Sequence, residues 1–125
     1  MNHPTLTPAE WHVMECLWEN DPCTARQAVE YLGETAGWAR STTLTLLRRM
    51  TEKGQIRCNG EGAILTYSPL LKREEAALDQ TQSFLDRVYQ GSISMMLSAF
   101  TKKQPLSDRE IEELYAILED VKNQK

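Results

Sequence analysis

Hydrophobic residues recur at helical spacing in three segments of the N-terminal half of the chain. The patterns predict helices over about residues 8–20, 25–33 and 40–53. Residues that commonly start or end helices bound these segments: Thr7 with Glu10, Thr24 with Gln27, Gly33 and Gly54. Residues 55–59 and 63–67 then alternate between polar and apolar types around the glycine-bearing tip Asn59-Gly60-Glu61-Gly62, which predicts a β-hairpin.

Three helices followed by a hairpin are the element order of a winged helix-turn-helix. The fold class predicted for the whole chain is mostly α with a small β-hairpin, and residues 1–70 are predicted to form a winged-helix DNA-binding domain. In such a domain the second helix of the helix-turn-helix, here the third predicted helix, enters the major groove of DNA.

Residues 71–125 are predicted to form a helical dimerisation domain, with helices over about 72–90, 92–102 and 108–123. So few residues in three amphipathic helices bury their apolar faces poorly alone. A second copy would cover these faces, and folding back on the N-terminal domain is the alternative. The residues predicted to form the dimer surface are Phe84, Leu85, Val88, Tyr89, Ile93, Met96, Leu97, Phe100, Ile111, Leu114, Tyr115 and Leu118.

The third predicted helix has two different faces on a helical wheel. The apolar side consists of Thr43, Leu44, Leu46, Leu47, Met50 and Thr51. The other side consists of Ser41, Thr42, Thr45, Arg48, Arg49 and Glu52. The helix pattern alone favours a solvated amphipathic helix. Small hydroxyl side chains and guanidinium groups, however, suit close contact with phosphates and base edges.

Charge strengthens the DNA-binding interpretation, although the chain has a formal net charge of −4. Residues 40–57 contain five basic side chains and a single acidic one, Glu52. Acidic residues crowd the preceding segment, so the charge is polarised along the chain. The basic cluster, the hydroxyl groups and the following hairpin together favour a DNA-binding helix.

Composition argues against several other classes of protein. With 125 residues, no apolar run long enough to span a bilayer and no signal-peptide pattern, the chain is expected to be cytoplasmic. The two histidines have no nucleophile or orienting partner in their sequence pattern, so no enzyme activity, cofactor or metal is predicted. Cys16, Cys23 and Cys58 match no zinc motif and are interpreted as free thiols. Cys58 is expected to face the inner side of the hairpin, and a redox or metal switch through Cys58 or Cys16 remains an alternative.

Several stretches resemble the BlaI/MecI penicillinase-repressor family, which is related to the copper-responsive CopY repressors. The similar stretches are LTPAEWHVMECLW (6–18), WARSTTLTLLRRMTEKGQI (38–56), EGAILTYSP (61–69), SFLDRVYQGSISMMLSAF (83–100) and LSDREIEELYAILED (106–120). The resemblance implies a homodimeric repressor of palindromic operators that controls antibiotic-resistance genes. The DNA contacts that it implies are Arg40, Ser41, Thr42, Thr45 and Arg49, to which the helical wheel adds Arg48.

The resemblance also implies a mechanism of release. Family members are inactivated by proteolysis between an asparagine and a phenylalanine, and the corresponding bond here is Ala99–Phe100. The implied partner is a membrane-linked sensor metalloprotease. The chain departs from the family at Gly60 and Ala63, where family wings often have basic residues, and it lacks the cysteine-rich tail of CopY proteins. Release by a small ligand or by a thiol or metal signal is an alternative, as is a winged helix that binds a protein.

Overall fold

The computed structural model describes residues 6–60 and 64–124. In this described part of the chain, six helices accompany a three-stranded sheet, which confirms the predicted mostly α fold class. The chain divides into two compact units, Met1–Ser83 and Phe84–Lys125. No helix in the described ranges is long and apolar enough to cross a bilayer.

The first unit begins with helices α1 (Pro8–Glu19), α2 (Ala25–Ala36) and α3 (Arg40–Glu52). The predicted capping boxes start α1 and α2: the Thr7 and Thr24 hydroxyls each accept the backbone N–H three residues later, at 3.1 Å. The prediction that α2 ends at Gly33 is wrong. The helix continues through Gly33, and Gly37, with φ +69°, ends it in the left-handed conformation.

The inner faces of these three helices form the core of the first unit. The largest fully buried apolar side chains in the described residues include Met14 and Leu17 of α1, Leu32 of α2, and Leu47 and Met50 of α3. Burial of side chains of this size contributes about 1.5 to 3 kcal/mol each. The core therefore determines which side of α3 faces inward.

Three short strands, β1 (Cys23–Thr24), β2 (Ile56–Asn59) and β3 (Thr66–Pro69), form an antiparallel sheet in the order β1-β3-β2. The hairpin was predicted, but its bounds were wrong. The second strand was predicted over 63–67, whereas Ile64 and Leu65 precede β3 and Ala63 lies outside the described residues. Asn59 pairs with Thr66 and ends β2, in agreement with the end of the first predicted strand, 55–59.

Three further helices follow, α4 (Arg73–Tyr89), α5 (Ile93–Lys103) and α6 (Asp108–Asn123), close to their predicted ranges. Leu71 and the α4 residue Ala76 belong to the core of the first unit. The division between the two compact units falls within α4, after Ser83. Ser107 caps α6 in a third capping box with Glu110.

Candidate nucleic-acid interface

The outer face of α3 presents the residues that were predicted to contact DNA. Thr43, Leu47 and Met50 are fully buried on the opposite side. The predicted contact residues comprise five exposed side chains and one half-buried one: Arg40, Ser41, Thr42, Arg48, Arg49 and, half-buried, Thr45. The polar face of the sequence pattern is thus the solvent-facing side of the helix, and it combines hydroxyl groups with three guanidinium groups.

The N-terminus of α3 lacks the side-chain cap that α1, α2, α5 and α6 have. Its N-cap residue is Ala39, which cannot accept a hydrogen bond from the first-turn amides through its side chain. The first turn contains no acidic residue and begins with Arg40. Because the N-terminus of a helix has partial positive charge, a cation there is unfavourable and an anion is favourable. The start of α3 is therefore suited to an anionic partner.

The C-terminal end of α3 is held by a buried carboxylate of α1. Glu10 is only 4% exposed, and its Oε2 lies 2.6 Å from Nζ of Lys53, the residue after the last turn of α3. Its Oε1 accepts the backbone N–H of Thr7 at 3.0 Å and lies 3.5 Å from Nε2 of Gln55. Burial raises the pKa of Glu10, but the bond to Lys53 and the Thr7 amide outweigh it, so its pKa lies below 4.5. Glu10 therefore remains ionised and links the two helices.

A cavity of about 440 Å³ lies beside the start of α3. Its lining residues come from β1 and the first turn of α2, from the start of α3, and from β3 and the connection that leads into it: Thr24, Ala25, Arg26, Arg40, Ile64, Leu65 and Tyr67. Arg26 was not among the predicted contact residues, because helical periodicity within α2 gives no indication that this residue lies near Arg40 and the hairpin.

The cysteines lie in two different environments. Cys16 and Cys23 are fully buried, with their Sγ atoms 3.9 Å apart. Contact with Cys23 and burial both raise the pKa of the Cys16 thiol, which disfavours a reactive thiolate. Cys58 is exposed, so the expectation that it lies against the inner side of the hairpin is wrong. Within residues 6–60 and 64–124, no three His, Cys, Asp or Glu side chains are arranged to hold a metal ion.

In the second unit, most residues of the predicted dimer surface are exposed or half-buried in the single chain. The exposed ones are Phe84, Val88, Ile93, Phe100, Ile111, Tyr115 and Leu118, and the half-buried ones are Tyr89, Met96, Leu97 and Leu114. Leu85 is buried within its own chain. Three further exposed apolar residues of this unit, Met95, Ile117 and Val121, were not among the residues predicted to form the dimer surface. Ala99 and Phe100, on either side of the predicted cleavage bond, are exposed on α5.

Comparisons with known proteins agree with this arrangement. Residues 6–120 match the family model described as "Penicillinase repressor". The penicillinase repressor of Bacillus licheniformis is 33% identical over 122 residues, covering 98% of this chain and 95% of that protein. The methicillin resistance regulatory protein MecI of Staphylococcus aureus (strain N315) is 30% identical over 113 residues, covering 90% of this chain and 92% of that protein.

Solved structures that are similar to this chain include two of the repressor BlaI. One is the solution structure of the DNA-binding domain of the repressor BlaI, with 26% identity and a TM-score of 0.53. It covers 59% of this chain and 90% of its own chain. The other is the monomeric form of Bacillus licheniformis BlaI in complex with the blaP half-operator, with the same identity, coverage and TM-score.

Proposed function

The chain belongs to the penicillinase repressor family, and we propose that it is a DNA-binding transcriptional repressor whose α3 enters the major groove. The observation that carries this proposal is the outer face of α3, which presents three arginines and three hydroxyl side chains along a helix whose start has no side-chain cap. The operator complex of the similar BlaI protein supports it. Arg48 and Arg49 are the side chains that we assign to bases or phosphates.

The experiment is a measurement of duplex binding by Arg48→Ala and Arg49→Ala over a series of salt concentrations. Sites selected from a random duplex library provide the target DNA. If an arginine binds a base with both donors, its loss should cost about 1 to 3 kcal/mol and relax one position of the site. If it contacts only phosphate, all sequences should weaken together.

The matched control is Arg109→Ala, which removes the same charge from α6, where Arg109 is 90% exposed and pairs with Glu113. This variant should bind DNA like the parent. Unchanged affinity in Arg48→Ala, Arg49→Ala and the double variant would contradict the assigned face. Binding to a protein partner that barely responds to salt would favour the protein-binding alternative.

We further propose that the repressor is a homodimer, formed through α4 from Phe84 onward, α5 and α6, and that it binds an inverted repeat. The apolar side chains that remain exposed in the second unit support this proposal, because a soluble monomer rarely leaves so many together. A two-fold dimer presents two copies of α3, so the half-sites should lie about one helical turn or a multiple of it apart.

Leu114→Ala and Leu118→Ala test the dimer. Leu118 is 61% exposed in the single chain, so a partner could bury most of its side chain. We expect the double variant to sediment as a monomer at a concentration where the parent is a dimer. Glu112→Ala, a change at an exposed polar position of the same helix, should leave the dimer intact. A parent chain that is monomeric at micromolar concentration and still binds one half-site tightly would refute the proposal.

Finally, we propose that derepression follows proteolysis of the Ala99–Phe100 bond by a membrane-linked metalloprotease. The bond lies inside α5, so cleavage requires local opening of that helix. Cleavage would separate α6 from the rest of the chain, and the remaining apolar surface would be too small to hold a dimer. Mass spectrometry of the protein from induced cells tests this step. Intact chains that have left the operator would exclude proteolysis and favour a ligand or thiol signal.

A further inference from the structure

The hairpin of this chain is poor in cations. Arg57 of β2 is exposed, but residues 58–71 contain no lysine or arginine. A winged-helix protein that binds the phosphates flanking the major groove therefore gains from positive charge on neighbouring elements of the chain. The cavity beside the hairpin contains two candidate cations, Arg26 and Arg40.

Two chemically different sets of side chains line this cavity. Arg26 and Arg40 contribute guanidinium groups from α2 and α3, and the connection into β3 contributes Ile64 and Leu65. These two apolar side chains are 69% and 40% exposed, so they are available to a partner. The backbone of one strand of a DNA duplex matches both sets of side chains, because its phosphates are anionic and its deoxyribose rings are largely apolar.

Arg26 can exchange its present partner for a phosphate. Its side chain is 88% exposed, and its Nε lies 3.7 Å from Oε1 of Glu30, one turn later on α2. Exposed pairs of this kind are weak in water. A phosphate accepts two parallel hydrogen bonds from a guanidinium group, which is the stronger arrangement.

We infer that this cavity binds the sugar–phosphate backbone of one DNA strand beside the groove that α3 enters, with Arg26 supplying anchoring charge that the hairpin beyond Arg57 lacks. Arg26 and Arg40 contact phosphate, and Ile64 and Leu65 pack on deoxyribose. This inference rests on the proposed function and extends it to a residue outside α3. Backbone contacts of this kind fix the position of the protein on the duplex without reading its sequence.

Arg26→Ala in the full chain tests the inference through the salt dependence of binding. Loss of one phosphate contact should reduce the slope of log affinity against log salt by about 0.9. Between about 50 and about 200 mM salt, the affinity of the variant should fall about 3.5-fold less than that of the parent. The affinities for the selected duplex and for a random duplex should fall by the same factor, because the contact carries no sequence information.

Arg109→Ala is the matched control, since Arg109 is 90% exposed and its Nε lies 3.2 Å from Glu113, also four residues later. This variant loses the same charge from α6 and should keep the parental slope. Ile64→Ala tests the apolar lining of the cavity separately. The affinity for DNA should fall about three- to tenfold, while the slope of log affinity against log salt is unchanged. Because both altered side chains in the cavity are exposed, the variants should keep the parental thermal midpoint.

The outcomes separate this inference from the proposed function. If Arg26→Ala keeps the parental slope while Arg48→Ala and Arg49→Ala weaken binding, the cavity does not bind DNA, although α3 does. If Arg26→Ala weakens the selected duplex only, Arg26 reads a base and the backbone assignment is wrong. A parent chain whose binding to any duplex is insensitive to salt would refute both the inference and the proposed function.

Discussion

An aspartate at position 39 should supply the side-chain cap that the start of α3 lacks. This change should stabilise the protein and weaken its binding to DNA. Ala39 has φ −69° and ψ 155°, close to the angles of the capping residues Thr7 (−71°, 163°) and Thr24 (−75°, 160°). An aspartate at position 39 can therefore accept the backbone N–H of Thr42 without a change of backbone conformation. A cap of this kind contributes about 0.5 to 2 kcal/mol, and a negative charge at the helix start adds about 0.3 to 1 kcal/mol.

Ala39→Asp should accordingly raise the free energy of unfolding by about 1 to 2 kcal/mol. For a unit the size of Met1–Ser83, each kcal/mol raises the thermal midpoint by about 4 to 8 °C. Circular dichroism melts and urea titrations measure this gain. Ala39→Asn is the matched variant, because asparagine caps a helix about as well as aspartate but adds no charge.

DNA binding should separate the two variants. A carboxylate about 6 Å from a phosphate costs about 1 to 2 kcal/mol at a protein surface, or about five- to thirtyfold in Kd. Ala39→Asp should therefore bind duplex DNA more weakly than Ala39→Asn, although both melt at a higher temperature than the parent. Lower midpoints in both variants would show that the start of α3 does not have N-cap geometry. A stabilised Ala39→Asp that binds as tightly as Ala39→Asn would show that no phosphate lies near this end of α3.

Two further predictions concern other parts of the first unit. Lys53→Met should lower the free energy of unfolding by about 1.5 kcal/mol at pH 7. This is the low end of the range for a hydrogen bond to a charged group, because the Lys53 side chain is half exposed. Because the pKa of Glu10 is lowered from the ordinary value of a glutamate, the ion pair contributes in full at neutral pH. Urea titrations should show the difference shrinking as the pH falls through the acidic range in which Glu10 becomes protonated. A thiol reagent should label Cys58 rapidly in the native protein and the two buried cysteines, Cys16 and Cys23, only after unfolding; rapid labelling of all three would contradict the buried environment.

The features that could be predicted from the sequence are those that depend on residues close together in the chain. The capping boxes at Thr7, Thr24 and Ser107 were predicted because both partners of each box lie within three residues of one another. The two faces of α3 were predicted because helical periodicity alone assigns Leu47 inward and Arg48 outward. These local signals were sufficient for the order of the helices and for the polar face of the candidate site.

The features that were missed depend on contacts between distant residues. β1 contains two residues, which is too short for any periodicity, and it exists because Cys23 pairs with Tyr67. β3 extends beyond the predicted strand to Pro69, and beyond it the Leu70 N–H donates to the Gln55 carbonyl and Trp18 Nε1 donates to the Leu71 carbonyl. Glycine inside a helix costs only about 1 kcal/mol, so Gly33 did not have to end α2. The cavity at Arg26 likewise exists only in the folded arrangement of α2, α3 and the hairpin.

The two ends of α3 differ in how well they are stabilised, and this difference supports the assignment of the interface. At the C-terminal end, Lys53 bonds the buried Glu10 and Gly54, with φ +80°, ends the helix favourably. At the N-terminal end, Ala39 provides no side-chain cap, and the positive charge of Arg40 lies at the positive end of the helix dipole. The helix is therefore less stable than a single substitution at position 39 could make it. Local rules of stability are most often broken at functional sites. Loss of the Glu10–Lys53 ion pair should therefore alter stability first, whereas a new negative charge at position 39 should alter both stability and DNA binding.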